Sequence, residues 1–278
     1  MFFLILSIIG SALISIVMRF GENHAKHKTG ILMSNYITCC ILGASSAFMS
    51  GLSPEGGIGF TLGLGVITGV LYLLGLVFIQ INISKNGVVL TSAFSQIGGL
   101  LIPLAAGIVL FKEMPTVLKL IGSAIAIAAI IVINYDKSNT NAASKALLIA
   151  LFAIEGTATV SAKIFNAYGN PVYESLFLFF TFTVAGIICF MLMLKRKERI
   201  GLKELLFGIG VGIPNFFASK FLLLALNDVP AIIAYPTRGV GTILVLSLAG
   251  ILLFNEKLKK HQWLAIGAIM ISVILLNI

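Results

Sequence analysis

Residues 175–194 read SLFLFFTFTVAGIICFMLML, twenty positions without Asp, Glu, Lys, Arg or His. A helix rises 1.5 Å per residue, so this run is about 30 Å long. That matches the hydrocarbon thickness of a bilayer, and an apolar run of this length reads as a transmembrane helix. Working outward, charge-free runs of the same kind cover 29–54, 56–84 and 86–111. Slightly shorter ones cover 1–18, 120–135 and 263–278. Three more, 146–166, 205–227 and 231–254, are interrupted by Glu155 and Lys163, by Lys220 and by Arg238. Turn formers and charges separate the runs at 21–28, 51–57, 84–87, 112–115, 136–145, 169–171, 195–203, 227–230 and 255–262. The expected fold is an all-α membrane protein of ten transmembrane helices. No link is long enough for a soluble domain.

Composition agrees. Of the 278 residues 59% are hydrophobic and 10% charged, whereas a soluble domain carries about 25% charged residues. So few charges cannot cover a water-facing surface, so lipid is the solvent for most of it. The net charge of +9 sits mainly in short loops, which reads as membrane topology and not as nucleic-acid binding. The apolar start from Met1, with no basic region before it, reads as a retained first helix and not a signal peptide. Cys39, Cys40 and Cys189 all lie inside apolar runs, so neither a disulfide nor a metal site is expected. No cofactor is expected either.

The two halves repeat. A shift of 143 residues places Gly65 on Gly208, Gly69 on Gly212, Gly107 on Gly250, and Phe111-Lys112-Glu113 on Phe254-Asn255-Glu256. A shift of 146 places Gly10-Ser11-Ala12 on Gly156-Thr157-Ala158. Residues 1–136 and 144–278 thus form two five-helix repeats joined by a linker at 137–143. Five is odd, so the second copy is inserted upside down relative to the first. Inverted repeats are typical of secondary transporters, with the solute site between the halves near the midplane.

Several motifs resemble the drug/metabolite transporter superfamily, in its ten-helix EamA-like branch. They are Ala225-Leu226 with Ala231-Ile232-Ile233-Ala234-Tyr235-Pro236, and Leu253-Phe254-Asn255-Glu256-Lys257-Leu258 followed by Trp263-Leu264-Ala265-Ile266-Gly267. Phe111-Lys112-Glu113 with Leu120-Ile121-Gly122 repeats the second motif in the first half. Asn35-Tyr36 and Gly212-Ile213-Pro214-Asn215-Phe216 look like one subgroup of that branch. The resemblance implies ten helices around a central cavity and alternating-access transport of metabolites, amino acids or drugs. It also implies both termini in the cytoplasm of a cell (inner or plasma) membrane. The charge pattern points the other way. Fourteen Lys and Arg fall in the odd-numbered loops and three on the opposite side, while Lys220 and Arg238 lie within helices. By the positive-inside rule the odd loops are cytoplasmic and both termini outside.

Charges deep in a bilayer helix cost about 2.5–3.5 kcal/mol on insertion scales, so they face a cavity or a partner. Glu155, Lys220 and Arg238 are the candidates. They read either as an internal ion-pair lock or as groups that handle a solute or a coupled proton. Lys163, near a helix end, reads as a snorkelling residue. In the ninth segment Tyr235, Arg238 and Thr242 share a face. The 143-residue shift maps them onto Ser92, Ser95 and Gly99 of the fourth. Gly208, Gly212, Asn215 and Ser219 form a stripe on the eighth, with Lys220 about 100° away. Gln96 and Tyr72 complete the candidate set. The glycines, including Gly59, Gly63, Gly65 and Gly69, read by default as packing positions. Glu113 and Glu256 read as caps or ion-pair residues at the interface. Pro103, Pro214 and Pro236 lie where they can kink helices.

No H-E-x-x-H, G-x-S-x-G or P-loop motif is present. His24, His27 and His261 all lie in loops. The expected function is secondary active transport, with export the expected direction, of a small anionic or zwitterionic solute such as an amino acid. A coupled proton or counter-substrate is a further expected partner. A channel-like facilitator is the alternative and an intramembrane enzyme a remoter one.

Overall fold

The computed structural model describes residues 1–50, 57–133, 145–254 and 260–278, without the side chains of residues 22, 23, 50, 80, 83, 84, 87–90, 92, 93, 133 and 254. The expected linker at 137–143, the break at 51–56, and Asn255 and Glu256 lie outside the described residues. Those described are helical and hold no strand. The helices are α1 (Phe2–His24), α2 (Lys28–Ser50), α3 (Ile58–Val109), α4 (Val117–Ile133), α5 (Lys145–Tyr168), α6 (Glu174–Arg196), α7 (Leu202–Asp228), α8 (Ala231–Phe254) and α9 (Lys260–Asn277). A 3-10 turn, Pro171–Tyr173, precedes α6.

Eight segments are long and apolar enough to cross a membrane, and two shorter apolar ones, Phe94–Val109 and Val117–Val132, bring the total to ten. One expectation is overturned. No break falls at 84–87, because α3 runs unbroken for 52 residues. A straight helix of that length would rise about 78 Å, far more than one hydrocarbon layer of about 30 Å, so α3 carries two of the ten segments. The reason lies in Asn86, inside the expected break, and Asn82, one turn before it. Asn82 Nδ2 donates to the Phe78 carbonyl four residues back (2.9 Å) and to the Leu147 carbonyl of α5 (3.0 Å). Asn86 Nδ2 donates to Asn82 Oδ1 at 2.8 Å. With both side-chain amide groups donating along the helix or to α5, these side chains do not divert the backbone into a turn.

The helix ends follow local chemistry. Before α6, the Asn170 side chain accepts the Val172 N–H at 3.1 Å and Pro171 opens the turn. The same helix closes on Lys197 in the left-handed region (φ 54), where the Lys197 and Glu198 N–H groups return to the Leu194 and Met193 carbonyls. Glu204 accepts the Lys26 N–H (2.8 Å) and the His27 N–H (3.1 Å), so it fixes the link that leads into α2 from a distant part of the chain.

The chain packs into two compact units, one of Met1–Leu73 with Ser161–Asn227, the other of Leu74–Val160 with Asp228–Ile278. In the first, α2 lies antiparallel to α6. Gly43 meets the Phe179 backbone, Cys40 Sγ lies 3.4 Å from Thr183 Oγ1, and Ser46 Oγ lies 2.8 Å from Ser175 Oγ. In the second, α4 lies against α9: Ala126 and Ile269 share one buried cluster, and Ser272 Oγ donates to the Gly122 carbonyl at 2.8 Å. The glycine expectations divide. Gly65 and Gly69 pack against Phe180, Thr181 and Val184 of α6, and Gly208 and Gly212 against Ser34, Asn35 and Thr38 of α2. A side chain at Gly59 or Gly63 would meet nothing within 4 Å among the described residues, so no packing role shows for these two there. The cysteines are free.

Candidate functional site

Three candidates lie in the first unit. Asn215 on α7 donates from Nδ2 to Asn35 Oδ1 on α2 at 3.0 Å. Asn215 thus continues the Gly208–Gly212 seam onto α2. Lys220 donates from Nζ to Ser46 Oγ at 2.7 Å, lies 6.0 Å from the centre of the Phe216 ring, and interacts electrostatically with Glu174. Glu174 also hydrogen-bonds the Asn227 side chain, which accepts from Asn166. Around Lys220 a polar chain therefore links α2, α5, α6 and α7. The sequence expectation paired Lys220 only with Glu155 or a solute. It missed Glu174, which as the first residue of α6 reads as an interfacial charge. Tyr72 on α3 is 38% exposed, with its ring 6.4 Å from Phe182, whose own ring lies tilted 6.5 Å from Tyr36 and from Phe216.

The other candidates lie in the second unit, where α3, α5 and α8 meet around Thr159. Tyr235 on α8 is 3% exposed and donates its phenol hydrogen to the Thr159 carbonyl of α5 at 3.0 Å. Thr159 Oγ1 donates to the Glu155 carbonyl at 2.7 Å and lies 3.6 Å from where a Gly99 Cβ would stand on α3. One helical turn from these contacts come Glu155 on α5, Ser95 and Gln96 on α3, and Arg238 on α8. The Glu155 carboxylate fills the space that Gly75 leaves open: a Cβ there would stand 2.6 Å from Glu155 Oε1. Thr242 Oγ1 donates to the Arg238 carbonyl at 2.8 Å, so its hydrogen is spent on its own helix. Ser92 falls on α3, and its side chain lies outside the described residues.

Two atoms here lack partners. Gln96 Oε1 and, one residue before Arg238, Thr237 Oγ1 are buried and make no hydrogen bond among the described residues. Buried polar atoms are rarely left this way, since each costs about 1–3 kcal/mol. Thr159 and Thr237 escaped the sequence reading because a lone hydroxyl in an apolar run carries little signal. Only the meeting of helices gives them a role.

Glu113 behaves as the sequence suggested. It lies in the link after α3, where Lys112 takes a left-handed backbone (φ 53), and it caps α8. Its two oxygens accept the Ala231 N–H (3.0 Å) and the Ile232 N–H (2.9 Å).

Among known proteins, an uncharacterized protein of Haemophilus influenzae (strain ATCC 51907 / DSM 11121 / KW20 / Rd) is 23% identical over 186 residues, 65% of this chain. The match spans 63% of that protein's length. A protein of known crystal structure superimposes with a TM-score of 0.79 over 99% of this chain and 94% of its own, at 11% identity. At that identity the likeness concerns the fold alone. The family comparison reaches further, because the EamA-like transporter family matches residues 143–278, the stretch that carries Glu155, Lys220, Tyr235 and Arg238. Over those residues the chain matches the EamA-like transporter family, and it is a multi-pass membrane protein.

Proposed function

We propose that this protein is a secondary transporter that moves a small anionic or zwitterionic, amino-acid-like solute across the cell (inner or plasma) membrane by alternating access, in the direction of export. The observation that carries the reading is the pair of partnerless atoms, Gln96 Oε1 and Thr237 Oγ1, buried in the second unit on the turns that bear Ser95 and Arg238. In an apolar unit such atoms call for a polar guest. A zwitterion supplies one: its carboxylate suits the guanidinium fork of Arg238, and its ammonium suits Gln96 Oε1 and the Glu155 carboxylate. Glu155 is also the carrier we assign to a coupled proton.

Two inverted five-helix repeats, 1–136 and 144–278, underlie the mechanism. At a two-fold axis a residue meets its own counterpart. Cys40 and Thr183, which are 143 positions apart, touch where α2 crosses α6. Ala126 and Ile269, again 143 apart, share the cluster where α4 crosses α9. Both pairs are antiparallel and both obey the repeat shift, which supports an axis perpendicular to the helices and so within the membrane plane.

The test is counterflow in proteoliposomes preloaded with candidate amino acids and organic anions. A carrier exchanges labelled solute with saturation. Flux that rises linearly with concentration, without exchange, would replace the proposal by the channel-like alternative, and absence of flux for every solute of this class would remove the substrate assignment.

A further inference from the structure

A groove of about 430 Å³ runs along the first unit between α1 and α7 and is lined only by apolar side chains and glycines. Its walls include Leu6, Leu13 and Val17 from α1, and Ile213, Phe217 and Phe221 from α7. Two glycines let the helices close at its floor. A Cβ on Gly10 would stand 2.8 Å from the Ala218 Cβ, and one on Gly210 would stand 3.1 Å from Val17 Cγ1. The helices are antiparallel here: Phe3 stacks near Phe221 at one end and His24 near Phe207 at the other, with ring centres 6.1 and 6.0 Å apart.

The two ends differ in charge. At the His24 end the stripe of groove residues continues onto polar ones. His24 follows Leu13 and Val17 on the same face of α1, and Lys203 precedes Phe207 and Gly210 on the matching face of α7. Both side chains are exposed. Around them the α1–α2 and α6–α7 links bring exposed Lys26, Lys28, Lys197 and Arg199. The nearby Glu204 carboxylate is turned inward and accepts three main-chain N–H groups, of Lys26, His27 and Gly201. His24 Nδ1 is held by the Phe20 carbonyl at 2.7 Å, which leaves Nε2 for another partner. An apolar channel that opens at one end onto a basic rim matches a lipid with apolar chains and a negative headgroup, and basic pockets between helices recognise such headgroups.

We propose that the α1–α7 groove is a binding site for an anionic phospholipid, with an acyl chain between Leu13 and Ile213 and the phosphate at Lys203 and His24. The groove is lined by none of the candidate solute-site residues. The occupant is a lipid rather than a second copy of the chain because the same basic links would face each other across a symmetric contact.

The test uses the full-length protein in detergent, titrated with dioleoyl phosphatidylglycerol or with dioleoyl phosphatidylcholine, read by native mass spectrometry and by thermal shift. The site is expected to take up phosphatidylglycerol saturably and at least tenfold more tightly than phosphatidylcholine. Lys203→Glu should remove that preference while leaving the melting temperature of the lipid-free protein unchanged. Ile213→Trp, on a wall residue 45% exposed, should weaken both lipids alike by filling the groove. Equal binding of the two lipids overturns the proposal in favour of an unselective apolar annulus, as does unaltered phosphatidylglycerol binding in both variants. Lipid-independent cross-linking of two copies through Ile213→Cys also overturns it.

Discussion

Glu113 accepts the main-chain N–H of Ile232 at 2.9 Å, across 119 positions of sequence. With Ala231 bound to the other oxygen, one carboxylate serves two of the N–H groups that the start of α8 cannot satisfy within the helix. A negative charge at a helix N-terminus also complements the helix dipole.

Replacing Glu113 by Ala orphans both donors. The expected cost is about 1–3 kcal/mol per unsatisfied group, seen as a lower melting temperature in detergent. Glu113→Gln keeps an acceptor without the charge and should fall between. A Glu113→Ala protein as stable as the parent would show that water replaces the cap.

Gly75→Ala places a methyl group where Glu155 Oε1 now lies. The carboxylate is the far end of a flexible side chain, so the helix should survive while the carboxylate turns away. Transport is expected to fall by about tenfold to a hundredfold, as misplacement of a reacting group commonly costs. The loss should resemble that of Glu155→Gln, with little change in melting temperature. Normal transport by Gly75→Ala would detach Glu155 from function.

Arg238 is permanently charged. Its replacement by Gln should weaken an acidic or zwitterionic solute by about 1.5–3 kcal/mol, the worth of hydrogen bonds to a charged group, read as a raised half-saturation concentration in proteoliposomes. Arg238→Lys keeps the charge and loses the fork, so rescue should be partial. Unimpaired uptake by Arg238→Gln would leave Arg238 a structural residue.

Orientation is checked with single cysteines placed in the 195–203 link, after the free Cys39, Cys40 and Cys189 are replaced. By the sequence count of fourteen basic residues against three, the positive-inside rule predicts that this link is cytoplasmic. Impermeant thiol reagents outside intact cells should leave it unlabelled. Ready labelling would favour both termini inside.

The ten apolar segments were legible because lipid imposes a one-dimensional rule: about 20 apolar residues in a row per crossing. The reading failed at 84–87 because it treated Ser84, Lys85, Asn86 and Gly87 as a local turn. Leu147 accepts from Asn82 only after α5 has come alongside α3, and no periodicity within one segment reports that. Glu155, Lys220 and Arg238 stood out because burying a charge is expensive wherever it occurs. Their partners did not stand out. Glu174, Ser46 and Thr159 are ordinary residues for a helix start or an apolar run, and they acquire roles only through neighbours on other helices, far away in sequence.

The sequence by itself determined that the chain spans a membrane, how many apolar segments it has, and where its costly charges lie. These follow from solvent and spacing, which act on each segment alone. Tertiary structure decided that α3 runs unbroken, that Gly65, Gly69, Gly208 and Gly212 pack against neighbouring helices, and that Glu113 closes the start of α8. It also decided that Tyr235 binds the Thr159 carbonyl. Each of these depends on the short-range directionality of hydrogen bonds and van der Waals contacts, which is defined only once two distant segments lie side by side.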